Sequence, residues 1–287
     1  MKSNLKQLTL ILICMNIFTL SAMAQLPTGH FKIYNTSNHQ EISWSDFVTE
    51  TAKNKIILWG EEHNDSIGHL LEFALWKALT ENNKKWVLSL EMFEVDVQPI
   101  MNEYLNGWIS EKNFKKEARS WSNYKDYENL VNDAKENGLY VNCSNAPARY
   151  VNMVTRGGLE SLNQLPKKTL KTYLPFLPID TLKGAYHQKF LEIMGGHSTP
   201  NLSLYASQNL WDASMAYHIL KQAKKRSVFH INGRFHTDHY LGTAERVKKG
   251  TQQKTIVISC FDAPEYQAEE DGSLADFVII TSKTPFE

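Results

Sequence analysis

The stretch Ile56-Ile57-Leu58-Trp59-Gly60-Glu61-Glu62-His63 decides the fold: an apolar run of strand length breaks on a glycine directly into two carboxylates and an imidazole. Short apolar runs bounded by glycine suit a strand buried on both faces, as in a parallel sheet covered by helices. Beyond it, Asn64 to Leu79 has helical spacing, with Ile67, Leu70, Leu71, Ala74, Leu75 and Ala78 on one side. The unit reads strand, loop, helix. In open α/β sheets ligands sit outside the carboxyl ends of the strands, so Glu61, Glu62 and His63 begin where a site is expected.

The same rhythm recurs along the chain. Trp86 to Leu90 predicts a second strand ending on Glu91, and Leu139 to Cys143 a third ending on Ser144 and Asn145. Pro147 then suits a first helical turn, which carries Arg149 and Tyr150. Val228 to Ile231 predicts a fourth strand, opening into Asn232-Gly233-Arg234-Phe235-His236, with further strands at Phe31–Tyr34, Thr255–Ser259 and Asp276–Thr281. Ser43 and Asp46 come close to a capping box for a helix over Trp44–Thr51. Helical pattern runs from about Val95 through Lys116 with a break at Gly107, resumes up to Glu136 before Asn137-Gly138, and returns over Tyr240–Lys249. A long helix over Leu204–Lys225 is expected to carry Gln208 and Asp212 on one face of an exposed start. Trp121, Tyr124 and Tyr127 read as core aromatics or as the wall of an apolar ligand site. From about 165 to 203, Pro166, Pro175, Pro178, Pro200 and the Gly195-Gly196 pair break the pattern, which marks a helical insertion. The expectation is an α/β fold with a central, mainly parallel sheet flanked by helices, one domain over 25–287 containing that insertion.

Lys2 and Lys6, the apolar run Leu8 to Leu20 and the small-residue site Ala22-Met23-Ala24 read as a signal peptide cleaved near Ala24, and hence as an exported, periplasmic or outer-membrane-associated protein. The run is short of the ~20 residues a membrane-spanning helix needs. Cys143 and Cys260 remain in the mature chain and read as buried small hydrophobes more simply than as a disulfide. With 31 Lys+Arg against 31 Asp+Glu there is no basic stripe, and no Gly-rich phosphate loop occurs, so nucleic-acid binding is not supported.

Glu61, His63, Glu91 and His236 converge if their strands are neighbours in one sheet. His63, Glu91 and His236 would make a workable divalent-metal set, with Glu61 or Glu91 as general base for an activated water. The competing structural explanation is that Glu61 and His63 cap the helix that follows them. Glu62, Asn145, Gln208 and Asp212 are further polar residues of the same strand ends and helix face. Arg149 suits bidentate pairing with a ligand carboxylate such as a haem propionate, or is a plain surface arginine. Tyr150, His187 and His197 are candidate iron ligands, because haem iron takes imidazole or phenolate.

Taken together, Ile57 through Asn64, Ser89-Leu90-Glu91-Met92-Phe93 with Gln98 and Tyr104-Leu105, Trp121 through Tyr127, Asn145 through Arg149, and Ser207 through Ala216 resemble the ChaN-like haem-binding lipoproteins of the Tiki superfamily. That superfamily also includes Tiki proteases, TraB-like proteins and erythromycin esterases. The resemblance runs from about Phe31 to about Ser282. It implies an α/β fold with a central sheet, haem binding in bacterial haem and iron uptake, a homodimer around haem, and membrane association through other components of an uptake system. It further implies that Glu61, His63, Glu91 and His236 form the shared polar site, a metal site in the protease branch. Two departures stand out: Arg234-Phe235 is bulky between the glycine and the histidine, and no lipobox precedes a cysteine, which favours a soluble exported protein over an anchored one. The chain is thus expected to be a haem-binding protein and not an enzyme. The alternative is a metal-dependent hydrolase, a protease or esterase.

Overall fold

The computed structural model describes residues 26–195 and 202–286; the amino-terminal segment expected to be a signal peptide and His197 lie outside the described residues. Eight strands, β1 (Phe31–Asn35), β2 (Gln40–Ile42), β3 (Ile56–Glu61), β4 (Trp86–Glu94), β5 (Tyr140–Asn145), β6 (Ser227–Gly233), β7 (Thr255–Asp262) and β8 (Phe277–Thr281), form one sheet in the order β2-β1-β8-β7-β3-β6-β4-β5. From β8 to β5 every pairing is parallel, and only β1 runs antiparallel to its neighbours β8 and β2. The expected mainly parallel α/β sheet is what forms. β2 escapes sequence reading because Gln40-Glu41-Ile42 is a short polar edge strand whose pattern carries no signal.

The helices are α1 (Trp44–Thr51), α2 (Ser66–Thr80), α3 (Gln98–Leu105), α4 (Glu111–Glu117), α5 (Glu128–Glu136), α6 (Ala148–Gly157), α7 (Lys167–Tyr173), α8 (Ala185–Ile193), α9 (Leu202–Ala223), α10 (Gly242–Gly250) and the short α11 (Ala268–Asp271). Alternate residues of β3 feed two cores. Ile57 and Trp59 join Leu71, Leu75, Trp76 and Tyr127 on one side, while Ile56 and Leu58 join Met215, Ile219 and Val247 on the other. Each of these apolar side chains contributes about 1.5–3 kcal/mol by leaving water. The segment expected as an insertion supplies α7 and α8; Leu174, just after α7, and Tyr186 and Phe190 of α8 fill two smaller clusters together with Leu210 and Tyr205 of α9. Cys143 and Cys260 are free and buried, as small hydrophobes.

Four expectations need correction. Asp65, not Glu61 or His63, caps α2: its side chain accepts from the Ile67 N–H at 3.0 Å. The buried face of α2 also differs, since Leu70 is 45 % exposed whereas His69 and Glu72 are buried. Gln208 and Asp212 are buried too, rather than exposed, because both turn into hydrogen bonds with neighbouring elements. Finally, β4 and β6 run beyond their apolar cores to Glu94 and Gly233, which carries the sheet into the polar residues.

Candidate functional site

Since β6 lies between β3 and β4 and all three are parallel, their carboxyl ends deliver side chains to one place. β3 ends on Glu61, β4 passes Glu91, and β6 hands over through Gly233 to the turn holding His236. Two glycines shape the site. A Cβ on Gly60 would lie 2.6 Å from Thr237 Oγ1 and 2.9 Å from the Arg234 Cα, so the turn after β6 folds onto bare backbone. A Cβ on Gly233 would lie 2.9 Å from His63 Nε2 and 3.8 Å from Glu91 Oε2, which puts that imidazole nitrogen and that carboxylate around one point.

Each histidine is oriented by a carboxylate. His63 Nδ1 is 2.6 Å from Glu61 Oε1, and Tyr127 donates its hydroxyl to the same oxygen at 2.5 Å. His236 Nδ1 is 2.7 Å from Asp212 Oδ1, which also accepts from Thr243 at 2.9 Å, while Tyr186 donates to the other Asp212 oxygen. Gln208 bridges Tyr186 and His236 at 3.2 Å to each. Between the rings, Glu91 accepts from the Gly233 N–H at 2.7 Å through Oε2 and brings Oε1 to 3.5 Å from His236 Nε2. His63, with its side chain 43 % exposed, marks the solvent side; its ring meets Trp121 edge-on at 5.3 Å.

The charges follow from these contacts. Burial opposes a charged His236, but the Glu91 and Asp212 carboxylates outweigh it and push the ring's pKa up to about 10. Burial would raise the Glu91 carboxyl, yet the charge and hydrogen bond of His236 bring it below the ordinary value. His63 is raised chiefly by its hydrogen bond to Glu61, against partial desolvation. Glu61 is held below the ordinary carboxylate range: burial alone would raise it, and the hydrogen bonds of His63 and His69 reverse that. Beneath the cluster, buried His230 bonds Ser89 at 3.0 Å, and desolvation drives its pKa down to about 3.

Glu61, His63, Glu91, His236, Asp212 and Gln208 therefore come together. Glu62 turns aside to Arg234 at 3.4 Å, and Asn145 accepts from the neighbouring Ala146 N–H. Arg149 is half-exposed and pairs with Asp96, which also binds Arg119 at 2.6 Å; its guanidinium covers the Tyr150 ring at 4.4 Å. His187, on α8, packs tilted against Tyr205 with ring centroids 4.6 Å apart and lines a cavity of about 370 Å³ with Thr181, Lys183, Tyr205 and Ala206. Its Nε2 is buried without a hydrogen-bond partner among the described residues. Sequence reasoning missed His69, Glu72 and the role of Tyr127. The spacing of three residues between the first two marks them as neighbours on one helix face but not as buried.

Comparison with known proteins now bears on this geometry. The model of the family described as haem-binding uptake, Tiki superfamily, ChaN matches residues 47–247. The chain belongs to the ChaN family. A structure of ChaN from Campylobacter jejuni, described as showing cofacial haem binding, matches this ChaN-family chain with a TM-score of 0.70 at 20 % identity, over 88 % of this chain and 97 % of that one. An erythromycin esterase, EreC, in its open conformation matches with a TM-score of 0.48 at 12 % identity, over 88 % of this chain and 83 % of that one. No match is found among curated protein sequences.

Both groups that the ChaN fold and its superfamily bring to mind can be tested against the residues. An orphaned imidazole nitrogen beside a cavity fits a haem ligand, since haem iron takes an axial imidazole. Two imidazoles whose Nδ1 atoms are tied to carboxylates, next to a third carboxylate, fit a divalent metal: metal-binding histidines characteristically hold their second nitrogen on such a partner.

Proposed function

We propose that this chain is an exported haem-binding protein of bacterial haem and iron uptake, holding haem at the cavity beside α8 with His187 as axial ligand. Membership of the ChaN family carries the haem reading. The unpartnered His187 Nε2 supports the choice among the candidates, because Tyr150 is covered by Arg149 and the carboxylate partner of Arg149 is already Asp96. Haem, once bound, supplies an iron that accepts one imidazole; the chain supplies His187, the aromatic wall of Tyr205 and the Lys183 ammonium at the cavity. The proposal includes export through segment 1–24 and a homodimer around haem. Hemin titration of His187→Ala and Tyr150→Phe proteins, followed at the Soret band, tests the ligand. Loss of the wild-type band in the histidine variant alone supports it, whereas an unchanged band there would sink it.

A second reading, a metal-dependent protease or esterase, is favoured by one observation: His63 and His236 are both oriented through Nδ1 and border the same carboxylate, Glu91. In that reading His63, His236 and Glu91 would hold a divalent metal, whose chemistry when bound would be to lower the pKa of a water. The alternative role for Glu91 is general base, because Glu61 is already spent on His63 and Tyr127. A screen of ester and peptide substrates against wild type and Glu91→Gln decides it. Hydrolysis by the wild type that is absent from a folded Glu91→Gln protein supports the hydrolase, and no metal-dependent turnover removes it.

A further inference from the structure

Behind the Glu61–His63 pair lies a second cluster, reached from the other oxygen of Glu61. His69 and Glu72, one turn apart on α2, face Glu61, and one ligand atom from each of the three lies within 4.8 Å of the others. His69 Nδ1 stands 3.4 Å from Glu61 Oε2 and 3.3 Å from Glu72 Oε2. The three residues are nearly inaccessible, at 2 % for Glu61, 7 % for His69 and 0 % for Glu72.

The hydrogen-bond pattern leaves one position in this cluster for a positive charge. His69 Nε2 is 3.3 Å from the His63 carbonyl oxygen, which can only accept, so Nε2 carries the hydrogen. Nδ1 then faces two carboxylates, at 3.4 and 3.3 Å, a place that takes either a second ring proton or a cation. Among the described residues, Glu61 Oε2 and Glu72 Oε1 are buried with no hydrogen-bond partner. With no proton on Nδ1, three acceptors converge in the interior, an arrangement that is costly unless a cation stands among them.

We propose that Glu61, His69 and Glu72 form a divalent-cation site, separate from the His63–Glu91–His236 cluster but joined to it through the Glu61 carboxylate. Two carboxylates and one imidazole suit a borderline divalent ion of the zinc, manganese or ferrous class, whose charge the two carboxylates balance. The Nε2–H held by a backbone carbonyl is the usual outer support of a metal-binding histidine. Glu61 Oε1 orients His63 while Oε2 faces the new site, so a bound ion would fix the carboxylate that positions His63. The inference does not depend on haem binding.

Zinc alone is the probe, titrated against a chromophoric chelator into the metal-stripped full chain. Glu91→Gln, which weakens the front cluster, should retain one zinc per chain, and zinc X-ray absorption of that complex should show one imidazole with carboxylate oxygens at about 2.0–2.2 Å. Glu72→Gln should weaken this zinc on the order of 100-fold, the upper end of what loss of even an outer partner costs. If Glu72→Gln fails to fold, the absorption spectrum of the Glu91→Gln complex decides alone. No chelator-resistant zinc in wild type or Glu91→Gln, two imidazoles in the spectrum, or unchanged affinity in a folded Glu72→Gln protein would each overturn the proposal, and the first would leave a proton on His69 Nδ1 as the occupant.

Discussion

A histidine that must present one nitrogen needs the other one held. Asp212 does this for His236, and it is itself fixed by Thr243 and Tyr186, so one carboxylate sets both the ring's direction and its charge. Asp212→Asn should lower the His236 pKa from about 10 by about 1–3 pH units, read by NMR titration of the ring; an unmoved titration would show that Glu91 alone carries the effect. Gly233→Ala tests the packing of the two rings. Its methyl would meet the tip of the His63 ring, a side chain 43 % exposed that can shift outward at the expense of its Glu61 bond, so the fold should survive with a Tm change of a few degrees while the His63 ring resonance shifts. These roles were partly legible in the sequence. Glu61, His63, Glu91 and His236 stand at ends of apolar runs, where position alone marks them. Asp212 was visible only as a polar residue four positions from Gln208. His69 and Glu72 were not legible, because helical spacing says which residues share a face and not whether a charged pair on that face is turned inward.

At the scale of the element, the helix after β3 is started by Asp65 and not by the polar residues that precede it. That one carboxylate accepts from the Ile67 N–H and from the buried Thr281 hydroxyl at 2.7 Å, tying α2 to β8. Asp65→Ala should therefore cost about 2 kcal/mol or more, a lost cap plus an unsatisfied buried hydroxyl, measured as a lower urea midpoint with an unchanged slope. A cost of a few tenths would mean that another group caps the helix. Strands were well placed by their apolar cores but read too short, since β4 and β6 continue into polar residues that only pairing with neighbours reveals as strand. The α2 stripe was misjudged at Leu70 for a related reason: the helix turns its face toward the Glu61 cluster as well as toward the apolar core.

For the whole molecule, buried histidines set the acid limb of stability. Burial keeps His230 neutral down to about pH 3, while the unfolded ring takes its proton near its ordinary value of 6.5. Between those values the unfolded chain binds more protons, so stability falls as pH drops, by about 1.4 kcal/mol per pH unit from this ring. Glu61 and Glu91, both lowered, add to the loss below the ordinary carboxylate range. His236 acts at the other end: its raised pKa gives stability that is full below 6.5 and lost as pH rises toward 10. His230→Asn should flatten the limb between pH 6.5 and 3 in denaturant midpoints taken across pH, and an unaltered limb would assign it to other groups. The parallel order of the central strands was legible from alternating strand and helix signals, whereas the antiparallel edge was not, because β1 and β2 are short and polar on one face. The most direct test of the account is a hemin titration of the mature chain with its mass in solution measured at each point. Saturable uptake with a Soret shift and a doubled mass is the expected result, and absence of any saturable haem band would contradict the proposed function.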